Sequence, residues 1–317
     1  MAESAALSLP AAAAGGRRLP FWVDVLRRLV REKPLGLIGG ILVITFLVMA
    51  IAAPLIAPSG PSELGTRRLD GPSASHIFGT DNLGRDVFSR VVYGARVSMT
   101  IGFLAIFIST LISLTIGVLS GYFGGIIDMF AQRFVDAFMA FPALVFLIAV
   151  GGMFRGAQIP GLPQQGLFST TIVVLIISLG LLFGVGSSRI IRSATLSVKS
   201  STYIEASRAT GATHTRLIFV HVLPNVMAPT ITLATLGLGG VILAEAGLAF
   251  LGLSVPPDQV TWGGMLRTEA RSFMVQAPWL AIFPGLALGL TVLAFNLLGD
   301  SLRDELDPRL RGSGLRG

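Results

Sequence analysis

The chain has no cysteine, which excludes disulfides, thiolate metal sites and thiol nucleophiles. Lysine is nearly absent. Lys33 and Lys199 are the only two, and neither follows the Gly-x4-Gly spacing of a phosphate-cradling Walker A loop, so an ATPase is not expected in this chain. His76, His214 and His221 are scattered without metal-ligand spacing, and no Ser/His/Asp arrangement is credible around them. No catalytic residue, metal site or bound cofactor is therefore expected. Charge of either sign is also thin: 13% of the 317 residues are Asp, Glu, Lys or Arg, against 52% hydrophobic. The mean hydropathy is +0.76, far more apolar than an ordinary soluble domain.

The few charges are bunched, leaving six stretches free of them: 34–62, 97–127, 137–154, 156–188, 217–244 and 272–299. Each can hold a helix of the roughly 20 apolar residues that cross a bilayer core. Trimmed by Gly and Pro, they predict spans at 35–57, 97–119, 134–154, 170–187, 229–253 and 278–298. Helices are expected because lipid offers the backbone no hydrogen-bond partner, and the alternation of a membrane barrel is missing. The fold class is thus an all-α membrane protein of six transmembrane helices. The opening segment, MAESAALSLPAAAAGG, is small and polar and reads as a disordered tail rather than a cleaved signal peptide.

Orientation follows from Lys and Arg, which are retained on the cytoplasmic side. With the N-terminus inside, sixteen of the 24 basic residues fall in the N-terminal tail, the 120–133 turn, the 188–228 loop and the C-terminal tail. Both termini are expected in the cytoplasm of a bacterium, with the protein in its inner membrane. The net charge of +7 is then mostly a topology signal. No nucleic-acid partner is expected, because no basic stripe interleaved with aromatics occurs.

The 188–228 loop carries the most informative segment, STYIEASRATGATHTRLIFVHVLPN, from Ser201 to Asn225. Thr202 and Glu205 fit a capping box for a short helix from Tyr203 to Thr210, and Gly211 fits the left-handed cap that ends it. A second short helix is expected from His214 to His221, with a break at Pro224 and the fifth span restarting at Pro229. The product is a helix–turn–helix knob.

The order Glu205, Ala206, Gly211, Leu223, Pro224 resembles the EAA loop of ATP-binding-cassette importer permeases. Two positions depart from that pattern, Ser207 where a second Ala is usual and His221 where a small aliphatic residue is common. The resemblance implies the type I importer permease fold and a short coupling helix that docks in a groove of an ATPase subunit. Tyr203, Glu205, Ala206, Arg208, Gly211, His221, Leu223 and Pro224 are the candidate coupling residues. It also implies a second permease subunit, expected to be a different chain, two ATP-binding subunits that hold ATP and Mg, and an extracytoplasmic solute-binding protein.

A second segment, HIFGTDNLGRDVFSRVVYGARVS from His76, resembles the stretch before the second span in the dipeptide and oligopeptide permease branch, which also includes nickel permeases. Gly79, Thr80, Asp81, Gly84, Arg85 and Asp86 read as tied turns that stabilise an external loop rather than bind solute. The last segment, Ala277 to Pro308, resembles the end of the same branch. Peptides are the solute this implies, with nickel complexes, glutathione or other small oligomers open.

Glu245, in LAEAGLAFLG, is the only acid inside a predicted span; Asn296 is a further polar residue in the last one. An intramembrane carboxylate is costly. Glu245 reads either as a hydrogen-bonding structural group or as the site of the rival function, a proton-coupled secondary transporter. The glycines Gly117/Gly121/Gly125, Gly180/Gly184 and Gly285/Gly289, four apart, are expected to allow close helix contact. The expected divisions are a 1–34 tail, a first helix with external loop over 35–95, a five-helix core over 96–299 containing the EAA loop 201–225, and a 300–317 tail.

Overall fold

The computed structural model describes residues 33–154, 156–256 and 259–306. Nearly all of the expected N-terminal tail, and the chain from 307 onward, lie outside the described residues. Among the described residues ten helices carry the fold: α1 Pro34–Ile51, α2 Ala53–Ile56, α3 Val87–Phe123, α4 Gly125–Met139, α5 Ala143–Met153, α6 Thr170–Lys199, α7 Thr202–Ala209, α8 His214–Leu251, α9 Trp262–Met265 and α10 Trp279–Leu306, with a π-helical turn Leu266–Ala270 and a single helical turn Arg271–Phe273 continuing from α9. Among the described residues no strand occurs beyond one isolated Thr80–Asp86 bridge.

Five helices, α1, α3, α6, α8 and α10, are each long and apolar enough to cross a membrane. The expected third span is not one straight helix. It is the pair α4 and α5, bent by 80° at the break between them. Pro142 stands at the break with ψ 126°, and a proline disfavours helical backbone at the residue before it.

Four spans outrun their charge-free stretches, α8 by taking in Arg216 and Glu245. α3 begins at Val87 because Asp86 caps it, accepting from the Ser89 amide at 2.8 Å. α6 continues to Lys199 through Arg189 and Arg192, whose charges are met by α4. Arg192 Nε donates to Asp128 Oδ1 at 2.6 Å, and Arg189 pairs with Asp136. α10 runs on to Leu306.

The expected break at Pro224 is also absent. The helix from His214 passes through a π-helical turn, Leu217–Val222, into Leu223–Leu251. Pro224 falls in the first turn after the π segment and Pro229 lies inside the helix. The wide turn lets the Leu223 amide reach back to the Ile218 carbonyl, and Asn225 Nδ2 donates to the His221 carbonyl at 2.6 Å. Inside a continuous helix a proline takes away one donor and crowds the carbonyl of the preceding turn, and the wider π turn just before Pro224 is where the ladder accommodates it.

α3 and α6 lie parallel and in close contact. A Cβ on Gly117 would meet Ile191 Cβ at 2.7 Å and one on Gly121 would meet Thr195 Cβ at 2.8 Å. From the other side, Gly180 faces Ile108 and Gly184 faces Ile112. These four positions meet the expectation of bare backbone at a helix contact. Gly125 and Gly289 do not, having nothing within 4 Å, and Gly285 has ordinary contact with Leu266 at 3.9 Å. Gly184→Leu is therefore expected to cost about 1–3 kcal/mol of stability by overpacking, while Gly289→Leu is tolerated. Thermal unfolding of the detergent-solubilised protein, followed by size-exclusion, separates the two; equal midpoints would rule out this contact.

The buried core runs between these spans and includes Met99, Ile101, Leu179, Ile242 and Phe295. A second, smaller cluster of Val118, Tyr122, Ile191, Ile204, Leu217, Val222 and Val226 ties the ends of α3 and α6 to α7 and the start of α8.

Candidate functional site

The knob lies at the α3 C-terminal end of the bundle, and the 58–86 loop at the α3 N-terminal end. α7 is one residue shifted from the expected helix, and its start differs from the expected capping box. Ser201 is the N-cap residue, without a side-chain capping bond, and its hydroxyl donates backwards to the Val198 carbonyl at 2.6 Å. Thr202 is already helical. Glu205 is exposed, and its carboxylate makes no hydrogen bond to a described residue.

The end of α7 matches the sequence reading. Gly211 has φ +86°; its amide donates to the Arg208 carbonyl at 3.0 Å, and the Ala212 amide donates to that of Ser207 at 3.1 Å. Those two bonds form a Schellman closure, which satisfies the last carbonyls of a helix. Thr213 then caps α8, its hydroxyl accepting from the Arg216 amide.

A single apolar side chain fastens α7. Ile204 is fully buried in the small cluster with Leu217 and Val222. Tyr203, Glu205, Ala206, Arg208 and Gly211 are exposed, so the structure brings these five onto one open surface. His221 lies beneath, its ring 6.3 Å from that of Tyr203. Leu223 packs against the small cluster, and Pro224 is exposed. Ile204, Tyr122 and His214 were not singled out from sequence. Tyr122 Oη lies 2.8 Å from His214 Nδ1, joining α3 to α8 across 92 residues of chain. A lone apolar residue in the polar segment TYIEASRA was the one local signal for Ile204.

At the opposite end, the six turn residues form one network. Asp81 is 1% exposed; its carboxylate accepts from the Leu83 and Arg85 amides at 2.8 and 2.9 Å and from Arg85 Nε at 2.6 Å. Arg90 Nε lies 3.6 Å from the same carboxylate. Thr80 Oγ1 accepts from the Asp70 amide, and Asp86 Oδ1 lies 3.1 Å from His76 Nδ1. Gly79 (φ +76°) and Gly84 (φ +78°) both adopt left-handed backbone, and a Cβ on Gly84 would lie 2.4 Å from the Gly65 carbonyl oxygen. Trp279 Nε1 donates to the Thr80 carbonyl at 3.1 Å, and Trp262 Nε1 to that of Val91 at 2.9 Å. Two tryptophans from far along the sequence thus pin this end, Trp279 the loop and Trp262 the first turns of α3, a role the sequence did not reveal.

Glu245 is fully buried. It accepts from Ser254 Oγ at 2.7 Å and Ser98 Oγ at 3.4 Å, with Thr261 as a further hydrogen-bond partner. The carboxylate thereby joins α8, α3 and the segment after α8. Asn296 is exposed on α10, its Oδ1 close to Gly239, and makes no hydrogen bond to a described residue.

Residues 113–312 match the family of binding-protein-dependent transport system inner membrane components, and residues 20–72 match the N-terminal transmembrane domain of oligopeptide transport permease C. The chain is 41% identical over 291 residues to the dipeptide transport system permease protein DppC of Alkalihalophilus pseudofirmus, covering 92% of this chain and 90% of that one. It is 38% identical over 292 residues to the glutathione transport system permease protein GsiD of Pectobacterium atrosepticum, covering 92% of each. Its fold is similar to a chain of the inward-facing MetNI methionine ABC transporter, with a TM-score of 0.54 and 20% identity over 70% of this chain and 98% of that one. None of these comparisons supports the proton-coupled secondary transporter. The structure gives Glu245 three hydroxyl partners instead. The chain belongs to the inner-membrane components of binding-protein-dependent transport systems, the multi-pass permease subunits of ATP-binding-cassette importers.

Proposed function

We propose that this permease pairs with a second permease subunit to form the path for short peptides handed over by an extracytoplasmic binding protein, and that two ATP-binding subunits drive it from the knob side. The observation that carries the coupling reading is the open face of α7. Five of its candidate docking residues are exposed while Ile204 alone fixes the helix to the spans. An exposed helix braced at one point transmits a push without dissolving into the core. Glu205, with no bond to a described residue, is available to a basic group on the ATPase. Peptides are supported as the solute by the relatives, which belong to a dipeptide and a glutathione transport system.

The test is purification of the four-subunit complex and, with the binding protein added outside, uptake of labelled dipeptide into proteoliposomes loaded with ATP. No uptake and no co-purifying ATPase would overturn it. The orientation is tested separately. The chain lacks cysteine, so Ser200→Cys in intact cells is expected to resist an impermeant thiol reagent while Ser75→Cys, in the loop at the other end, reacts. Labelling of Ser200→Cys from outside would invert the topology.

A further inference from the structure

A cavity of about 570 Å³ opens between the 82–90 segment, the end of α5 and the 252–267 segment. That volume suits a small molecule. Its described lining contains three guanidinium groups, from Arg85, Arg90 and Arg267, and no carboxylate. The first two are answered from beneath by Asp81. Arg267 makes no ion pair with a described residue.

Its position is built into the backbone. Gly252 caps α8 in left-handed conformation, and a Cβ there would lie 2.2 Å from Arg267 Nη1. The guanidinium therefore rests on bare backbone at a helix C-terminus, where carbonyl dipoles favour a cation. The same cavity is lined by Asn82, whose buried Oδ1 has no hydrogen-bond partner. A buried acceptor without a donor is costly, and a ligand N–H removes that cost. A cation without an ion-pair partner among the described residues and an orphaned acceptor in one small cavity select a molecule that carries both a carboxylate and an N–H group.

We propose that this cavity is a solute site that receives a short peptide by its free C-terminal carboxylate, with Arg267 as the anchoring cation and Asn82 Oδ1 accepting an N–H of the same molecule. The proposal rests on the reading of the chain as a peptide permease. It does not require Arg85 or Asp86 to touch solute, and it leaves them as supports of the loop.

The test uses the whole importer complex in nanodiscs, where both faces are reachable. Gln164→Cys places a thiol on the cavity lining, and Ser75→Cys serves as an exposed control outside it. Modification of this chain by sulfonatoethyl and by trimethylammonioethyl methanethiosulfonate is followed by mass spectrometry. The expected result is a preference for the anionic reagent about tenfold greater at Gln164→Cys than at the control. Arg267→Gln should abolish that preference and Arg267→Lys should retain part of it. L-alanyl-L-alanine should slow modification of Gln164→Cys, and its C-terminal amide should not. A preference untouched by Arg267→Gln, or no difference between the dipeptide and its amide, would overturn the site. Uptake of labelled dipeptide by the wild-type complex in ATP-loaded proteoliposomes, with its binding protein outside, is read alongside; absent uptake with protection intact would uphold the site and sink the transport reading.

Discussion

Gly211→Val in the assembled importer is expected to cut ATP-driven uptake at least tenfold while leaving the complex intact on a gel. The Cβ at residue 211 meets no obstacle, with nothing within 4 Å, so the cost is conformational. At φ +86° a branched side chain is disfavoured by roughly 1–2 kcal/mol. The chain relieves that by abandoning left-handed backbone, which breaks the two closing bonds from Gly211 and Ala212 and reorients α7 relative to α8. Burial of Ile204 keeps the knob attached, so the lesion falls on geometry rather than on folding. Glu205→Gln separates docking from helix stability. Because Glu205 forms no bond to a described residue, α7 should be as stable with Gln. A charged contact with the ATPase would instead be weakened by about 2–5 kcal/mol. The measurement is uptake and ATPase turnover of each variant in proteoliposomes. Wild-type uptake in both Gly211→Val and Glu205→Ala would remove the coupling role from α7.

Asp81→Ala is expected to lower the yield of folded complex sharply, without changing which solutes the remaining complex accepts. The carboxylate is the common acceptor for two loop amides and Arg85, and Arg90 lies beside it. Removing one partner of so buried a set typically costs about 3–5 kcal/mol. Asp81→Asn keeps an oxygen for the amides but loses the charge, and should fall between Ala and wild type. Thermal midpoints measured beside competition by a peptide panel give the answer. An unchanged midpoint with altered solute preference would reassign Asp81 from loop support to solute recognition.

The spans were legible because charge is absent over long runs, but their ends were not. Arg90, Arg189 and Arg192 look like loop residues in sequence, yet each continues a helix, since a carboxylate elsewhere in the chain answers it: Asp81, Asp136 and Asp128. Pro142 was visible, but an apolar run spanning it read as one helix; only backbone geometry exposes the 80° bend. At the knob, Gly211 was legible because left-handed backbone needs glycine, a purely local requirement. The start of α7 was not, because the choice between Ser201 and Thr202 as first residue depends on where α6 ends. Arg267 carried no signal at all. Its placement comes from Gly252, fifteen positions earlier, and from the cavity that both residues line.

The helix from His214 to Leu251 is 38 residues long, roughly 57 Å at the ordinary rise per residue. Its foot carries the Thr213 cap just after α7, and its head carries Gly252 under the Arg267 guanidinium. Had the chain broken at Pro224, a joint would separate those ends. Without it, and on the proposed coupling, the helix would act as a lever: a tilt of a few degrees at the knob would sweep the far end by a few ångströms, about the length of a hydrogen bond. The wide π turn at Leu217–Val222 and Pro229, the two places where the ordinary ladder is interrupted, both lie near the foot. Bending there would absorb part of a tilt before it reached the shaft, so the bonds that brace the foot, Asn225 to the His221 carbonyl among them, would set how much of the tilt arrives at Gly252.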